Sequence, residues 1–242
     1  MNKIGFSTGS IYKIADKYNP ASFDLFKKLG KDVIEICLND CLEVERLDNI
    51  TCEVKKFSYR SIHFPSNGII YRDDEETNKI IQKIEKFYLE TNANVAIIHP
   101  DLVEDWQVFR KYNLNWAIEN MDDRKESYKT VEDLKRFFEE NPNWNFVLDL
   151  NHCYSNDKTM LLADDMINNF RNKIIHYHLS GCFELHDPLF ETKQDFIIDY
   201  SRKVNVPIVI ESVFNSLDGI EKELDYINNS WQKKKSFNNS SI

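Results

Sequence analysis

The stretch from residue 94 to residue 119, NVAIIHPDLVEDWQVFRKYNLNWAIE, contains two short apolar runs, one ending on a histidine and the other on a glutamate. The runs are Asn94–His99 and Leu114–Glu119. Their nearly continuous apolar character is typical of strands that are buried on both faces of a parallel sheet. We therefore expect two strands of one sheet, each with a chemically reactive side chain at its carboxyl end.

Six further runs of the same kind occur along the chain. They are Lys3–Ser7, Asp32–Cys37, Tyr59–His63, Asn145–Leu150, Lys173–Leu179 and Val206–Glu211. Segments with apolar residues at helical spacing lie between strands. They cover residues 80–88, 131–138, 162–170 and 220–227, with Asn19-Pro20 and Thr130 placed to begin helices.

Eight strands that alternate with helices predict parallel pairing through right-handed crossovers. A closed (β/α)8 TIM barrel and a doubly wound sheet both fit this order. The count of eight and the even spacing favour the barrel. We expect a single α/β domain over residues 1–230, followed by a polar tail over residues 231–242.

Composition excludes several classes of protein. The 242 residues include 31 Lys and Arg against 40 Asp and Glu, a net charge of −9, which argues against nucleic-acid binding through bulk basicity. With six glycines, the chain has no Gly-rich phosphate-binding motif. The absence of a long apolar segment predicts no membrane association, and five cysteines without a CxxC pair predict a reducing cytoplasm. No obligate protein partner is evident.

Histidines and acidic residues gather at the predicted strand ends, where a TIM barrel has its active site. They are His63, His99, Glu119, Asp149, His152, His178 and Glu211. So many carboxylates and imidazoles in one place would be costly to bury without cations. Carboxylate and imidazole ligands suit Zn²⁺ or Mn²⁺. The sequence therefore predicts a divalent metal site at the mouth of the barrel.

The same residues stand in motifs. These are H-F-P at 63–65, H-P at 99–100, E-N at 119–120, D-L-N-H at 149–152, H-L at 178–179 and E-L-H at 184–186, followed by Glu211 in the run PIVIES. The set resembles that of the xylose isomerase-like TIM barrels, which include endonuclease IV, over nearly the whole chain.

Resemblance to endonuclease IV implies three zinc ions. Glu119 would bridge two of them, with His63 and His99 completing the first. Asp149, His178 and Glu211 would complete the second. His152, Glu184 and His186 would hold the third, with Glu184 standing where that family has an aspartate.

Resemblance to the hydroxypyruvate isomerase-like branch implies a different site. There one metal lies on Glu, Asp, His and Glu, matched by Glu119, Asp149, His178 and Glu211. The H-D-P sequence at 186–188 is similar to the H-E-P of that branch. Ser66 also stands where the nuclease has an aromatic residue that enters DNA.

Three functions follow as hypotheses. The leading one is a phosphoester hydrolase with two or three ions, zinc rather than manganese, which acts on damaged DNA or a small phosphorylated substrate. The alternative is a single-metal sugar or sugar-phosphate isomerase or epimerase, in which Glu119 and Glu211 transfer the proton. The third is a non-catalytic metal- or ligand-binding barrel. His63 and His99 favour the hydrolase, because the one-metal mechanism does not need them.

Other charged residues stay open at this level. His176 shares the face of His178 one layer deeper, which favours a packed or supporting histidine over direct function. Glu35 lies inside a strand, where it requires a role at the mouth or a Lys or Arg partner. Arg124 and Lys125 could bind a phosphate, although charged loop residues of this kind more commonly face solvent.

Overall fold

A computed structural model describes residues 2–29 and 32–239. Its eight strands are β1 Ile4–Ser7, β2 Val33–Cys37, β3 Tyr59–His63, β4 Val95–Ile98, β5 Trp116–Glu119, β6 Asn145–Asp149, β7 Ile174–Leu179 and β8 Ile208–Ile210. Each strand pairs in parallel with the next, and β8 closes the barrel against β1. The predicted (β/α)8 barrel is thus confirmed, and the doubly wound alternative is wrong.

Helices surround the barrel unevenly. They are α1 Pro20–Lys28, α2 Thr51–Val54, α3 Glu75–Thr91, α4 Val131–Glu140, α5 Leu150–Asn156, α6 Leu161–Phe170, α7 Leu189–Thr192, α8 Asp195–Tyr200 and α9 Leu217–Asn239. Between β4 and β5 the chain forms only two 3₁₀ helices, Pro100–Leu102 and Trp106–Lys111. A 3₁₀ helix, Cys41–Ile50, also precedes the short α2.

Helices α1 and α4 begin at the residues that the sequence predicted. The Asn19 side chain accepts the backbone N–H of Ala21 at the start of α1, with Pro20 in the first turn. Thr130 begins α4 in a reciprocal capping box with Asp133. Both caps satisfy backbone donors that have no partner within the helix.

Alternation along the strands separates two apolar regions. Val95, Ile97, Ala117 and Val147 pack together inside the barrel, while the outward-facing strand residues join the larger core beneath the helices. Gly5 allows the close approach of β1 and β2, since a Cβ there would lie 1.9 Å from the carbonyl oxygen of Val33.

One register slip reshapes the interior. β6 and β7 shift by one residue between Phe146 and Val147, so that Val147 pairs with His176 and Asp149 with His178. Such irregularities re-aim side chains near active sites. Both histidines therefore lie inside the barrel.

The carboxyl end of the chain is more helical than expected. α9 continues through residue 231, where a polar tail was predicted to begin, and Trp231 is buried. Residues 240–242 lie outside the described part of the chain. Among the described helices, none combines the length and the apolar character that crossing a membrane requires.

Candidate metal centre

A cavity of about 650 Å³ opens at the carboxyl ends of the strands. Six of the predicted ligands line it: His63, His99, Glu119, His152, His186 and Glu211. Asp149 and His178 lie beneath them and are fully buried. The barrel thus brings side chains from six strand ends and their loops to one place, as its topology requires.

Glu119, Asp149, His178 and Glu211 form the most complete group. Each offers one ligand atom, and these four atoms lie within 4.8 Å of one another. His178 Nδ1 is 3.2 Å from Glu211 Oε2, 3.4 Å from Glu119 Oε2 and 3.9 Å from Asp149 Oδ2. Four N and O atoms at this spacing can surround one divalent ion.

Two atoms of this group test whether a metal fits. His178 Nδ1 and Asp149 Oδ2 are both buried and have no hydrogen-bond partner. Buried polar atoms are nearly always satisfied, so two orphans that face the same point require an explanation. A cation between them would satisfy both and offset the repulsion of three neighbouring carboxylates. The residues present therefore fit a divalent metal.

A second group shares Glu119. The Nε2 atoms of His63 and His99 lie 3.3 Å and 3.5 Å from Glu119 Oε2, and the three ligand atoms fall within 4.8 Å of one another. His63 Nδ1 lies 2.9 Å from the carbonyl oxygen of Phe64, to which it can only donate. Its Nε2 is then the atom left for a proton or a metal.

His152 lies on the opposite side of Glu119. Its Nδ1 donates to the carbonyl oxygen of Asn120 at 2.7 Å and lies 3.2 Å from Glu119 Oε1. Its Nε2 lies 3.6 Å from Asp149 Oδ2 and 4.0 Å from Asp122 Oδ2. Asp122, which was not among the predicted ligands, is buried and lines the cavity. Its position three residues after Glu119 was the available signal.

Glu184 is placed apart from the other predicted ligands. It is exposed and does not line the cavity, because residues 183–185 turn around Asp187, whose carboxylate accepts their three backbone N–H groups. His186 does reach the cavity, with its ring centre 5.8 Å from that of His152. In the described chain, Glu184 therefore does not join these histidines in a three-residue ligand group.

The two central glutamates, Glu119 and Glu211, differ in pKa in the metal-free site. Burial, reinforced by the Glu119 carboxylate, raises the pKa of Glu211 to about 8. Burial also acts to raise the pKa of Glu119, but His178, His152 and His63 hold that pKa well below its ordinary value. One glutamate thus carries a proton at neutral pH and the other is ionised, which is the pairing of an acid with a base.

The pKa values of His152 and His186 also shift in opposite directions. Burial opposes protonation of His152, yet Asp149 and Glu119 raise its pKa to about 10. Burial and the neighbouring His152 lower the pKa of His186 to about 3. His186 is therefore neutral, and its Nδ1 lies 3.0 Å from the Ser180 hydroxyl.

Arg124 and Lys125, which were predicted to meet phosphate or solvent, line the cavity mouth. Arg124 binds Asp122 through its Nε and a terminal nitrogen, and Lys125 lies 2.6 Å from Asp101. Both cations are therefore already neutralised by carboxylates.

Beneath the four-ligand group lies a second polar layer. Glu35 and His176 are fully buried there, and Glu35 Oε2 lies 3.2 Å from His178 Nε2. Its partners are thus histidines and not the Lys or Arg that the sequence suggested. His176 is the supporting histidine that the sequence analysis favoured.

Comparison with known proteins shows which solved structures have a similar fold. Neither a protein-family model nor a curated protein matches the chain. Among solved structures, a D-tagatose 3-epimerase-like protein matches with a TM-score of 0.69 and 14% identity, over 96% of this chain and 99% of that one. The apo form of the E. coli 3-keto-D-glucoside 4-epimerase YcjR matches with a TM-score of 0.66 and 16% identity, over 96% and 100%. The probable 3-DHS dehydratase AsbF from Bacillus anthracis, involved in petrobactin synthesis, gives 0.66 and 15%, over 94% and 99%. At 14–16% identity these likenesses show the fold alone, which is the closed eight-stranded parallel barrel described above.

Proposed function

We propose that the protein is a metal-dependent sugar epimerase or isomerase with one divalent ion on Glu119, Asp149, His178 and Glu211. The observation that carries the proposal is the convergence of these four ligand atoms on one point, where two of them are otherwise unpartnered. The matched epimerases of the same fold support it. This reverses the order of the two functions in the sequence analysis.

The two glutamates supply the proton transfer. A bound divalent ion would polarise the carbonyl and the adjacent hydroxyl of the sugar. One glutamate then takes the proton from the carbon next to the carbonyl as the C–H bond breaks, which leaves an enediolate. A proton returned to the opposite face of that carbon gives the epimer, and one returned to the neighbouring carbon gives the isomer. Glu119 Oε2 and Glu211 Oε2 lie 3.4 Å and 3.2 Å from His178 Nδ1, so both carboxylates are beside the proposed metal position.

The cavity favours an uncharged sugar over a sugar phosphate. Its volume of about 650 Å³ lies in the usual range for small-ligand sites. Asn39, Ser66 and Asn67 line it and offer amide and hydroxyl groups to sugar hydroxyls. Arg124 and Lys125, the Arg and Lys among the described lining residues, are already paired with Asp122 and Asp101, which weakens their attraction for a phosphate. We therefore propose a free sugar as the substrate.

Solvent-exchange NMR tests this proposal without knowledge of the product. The protein is loaded with Mn²⁺, Co²⁺ or Zn²⁺ and incubated with a panel of ketohexoses and pentuloses in D₂O. The metal ions are then removed from the reaction mixture before the NMR spectra of the sugar are recorded. We expect deuterium to enter the carbon beside the carbonyl of at least one sugar, and Glu211→Gln to abolish this exchange. The exposed Glu184→Gln is the matched control and should exchange at the wild-type rate. No exchange with any metal across the panel would reject the epimerase.

The second candidate is a phosphoester hydrolase with more than one ion. The His63–His99–Glu119 group specifically favours it, because these three ligand atoms form a separate, complete set that one ion on His178 does not use. Metal analysis of protein purified without chelators distinguishes the two. About one ion per chain supports the epimerase. Two or three ions, together with nicking of a duplex that contains an abasic site, would support the hydrolase instead.

A further inference from the structure

A closed polar cluster lies inside the barrel, one layer below the metal centre. It consists of Glu35 on β2, Tyr59 and Ser61 on β3, and His176 on β7, beside the ligand His178. Strand register explains the arrangement, since Ser61 pairs directly with Glu35. Glu35, Ser61 and both histidines are 0% exposed. A carboxylate at this depth is costly, and the proposed proton transfer does not use it.

Glu35 receives all its contacts on one oxygen. Ser61 donates to Oε2 at 2.8 Å, His178 Nε2 lies 3.2 Å away and His176 Nε2 lies 3.5 Å away. A carboxylate offers only acceptors when it is ionised, so the His178 Nε2 that faces Glu35 is the donor of this hydrogen bond.

His176 completes the cluster. The Tyr59 hydroxyl lies 2.8 Å from His176 Nδ1. His176 Nε2 lies 3.2 Å from His178 Nε2 and 3.5 Å from Glu35 Oε2, so it can accept from His178 or donate to Glu35.

The hydrogen bond between His178 Nε2 and Glu35 fixes the orientation of the His178 ring. We propose that Glu35 is a positioning residue that holds the Nε2–H of His178 and so directs its Nδ1 lone pair to the metal. Nδ1 is the unpartnered atom that faces Glu119 and Glu211. Without Glu35, His178 can place its hydrogen on Nδ1 and donate to Glu211, and the ion loses a ligand. The inference rests on the proposed metal centre, and it explains why a carboxylate is retained in the interior.

Metal affinity and histidine tautomer test the inference together. Zn²⁺ affinity is measured by competition with a chromogenic chelator, and the tautomer by ¹⁵N NMR of histidine-labelled, zinc-loaded protein. In the wild type we expect His178 to carry hydrogen on Nε2 and zinc on Nδ1. Glu35→Met removes the acceptor at similar volume and should lower affinity by about 10–100-fold, as is typical when a ligand's hydrogen-bond partner is lost.

Two further variants separate positioning from a merely structural role. Glu35→Gln keeps an oxygen acceptor for His178 and should restore most of the affinity and the same tautomer. Ser61→Ala removes another donor to the same oxygen without touching His178, and should bind zinc as the wild type does. Circular dichroism and thermal melts confirm that each variant is folded.

The outcomes are distinct. If the wild type binds no zinc, the proposed metal centre itself fails. If it binds zinc but the folded Glu35→Met variant binds equally well, the centre stands and the role of Glu35 is refuted. Should Glu35→Met not fold, the wild-type spectrum still decides, because hydrogen on Nδ1 or zinc on Nε2 of His178 contradicts the proposal. An ion found among Glu35, His176 and His178 would overturn it in the same way.

Discussion

Metal binding should release a proton from Glu211, and its affinity should therefore rise with pH. In the metal-free protein, burial and the Glu119 carboxylate raise the pKa of Glu211 to about 8 from an ordinary value of 4.5. A ligand must be deprotonated before it binds a metal. For this one proton, the affinity gained between pH 6 and pH 8 is about 50-fold. The proton on His178, whose pKa is also raised, adds to the same trend.

The raised pKa of Glu211 also determines how the stability of the metal-free protein changes with pH. A folded-state pKa above the unfolded value means that Glu211 stabilises the metal-free protein below pH 4.5, and that this contribution is lost as pH rises through 8. Metal stabilisation runs in the opposite direction. At a fixed metal concentration well above Kd, a 50-fold gain in affinity corresponds to about 2.3 kcal/mol. For a domain of this size that is a further rise of roughly 5–9 °C in Tm.

Two measurements check this prediction. Thermal melts at pH 6, 7 and 8, with and without Zn²⁺ or Mn²⁺, give the metal-induced increase in Tm. Calorimetry in buffers of different ionisation enthalpy gives the protons released, which should be at least about one per ion near pH 7. Glu184→Gln should change neither quantity, because Glu184 is exposed and outside the ligand groups. Equal metal stabilisation at pH 6 and pH 8, with no proton release, would refute the reasoning.

Three further predictions concern other parts of the chain. His99→Ala should keep one metal equivalent and most of the kcat while it raises KM; loss of a bound ion on analysis would instead favour the hydrolase. Inorganic phosphate at millimolar concentration should not inhibit, because Arg124 and Lys125 are paired with carboxylates; competitive inhibition in the exchange assay would contradict this. Glu223→Leu should destabilise the fold by about 2–5 kcal/mol, since the buried carboxylate accepts two backbone N–H groups at the start of α7 and the Ser212 hydroxyl. A denaturation midpoint close to that of the wild type would show that these donors find other partners.

Strands were more predictable than connections. Each apolar run in the sequence corresponds to a barrel strand, because burial on both faces leaves a continuous signal that needs no knowledge of neighbours. The link from β4 to β5 forms 3₁₀ helices instead of an α-helix. There, Pro100 begins one 3₁₀ helix and the side chain of Asp105, which accepts the backbone N–H of Gln107, begins the next.

At the metal centre, the predicted strand-end residues come together, whereas of the two predicted residues in the loop after β7, His186 lines the cavity and Glu184 does not. Glu119 and Asp149 join the four-ligand group because strand parity directs them inward. Glu184 turns outward because Asp187 organises its loop, a tertiary detail that spacing does not encode. The contact of Glu35 with His178 crosses the barrel from β2 to β7 and depends on a register slip, so no sequence pattern could have revealed it.

His63 now links the two candidate functions. Its Nδ1 donates to the Phe64 carbonyl oxygen, so its Nε2 faces the Glu119 carboxylate at 3.3 Å as either an N–H or a metal ligand. Burial opposes protonation, but Glu119 raises the pKa of His63 above its ordinary value. A protonated His63 would hold Glu119 by a charged hydrogen bond and leave one ion on the other side of that carboxylate. A metal-bound His63 would make Glu119 a bridge between two ions. The protonation state of His63 Nε2 therefore distinguishes the one-ion arrangement of these residues from the two-ion arrangement.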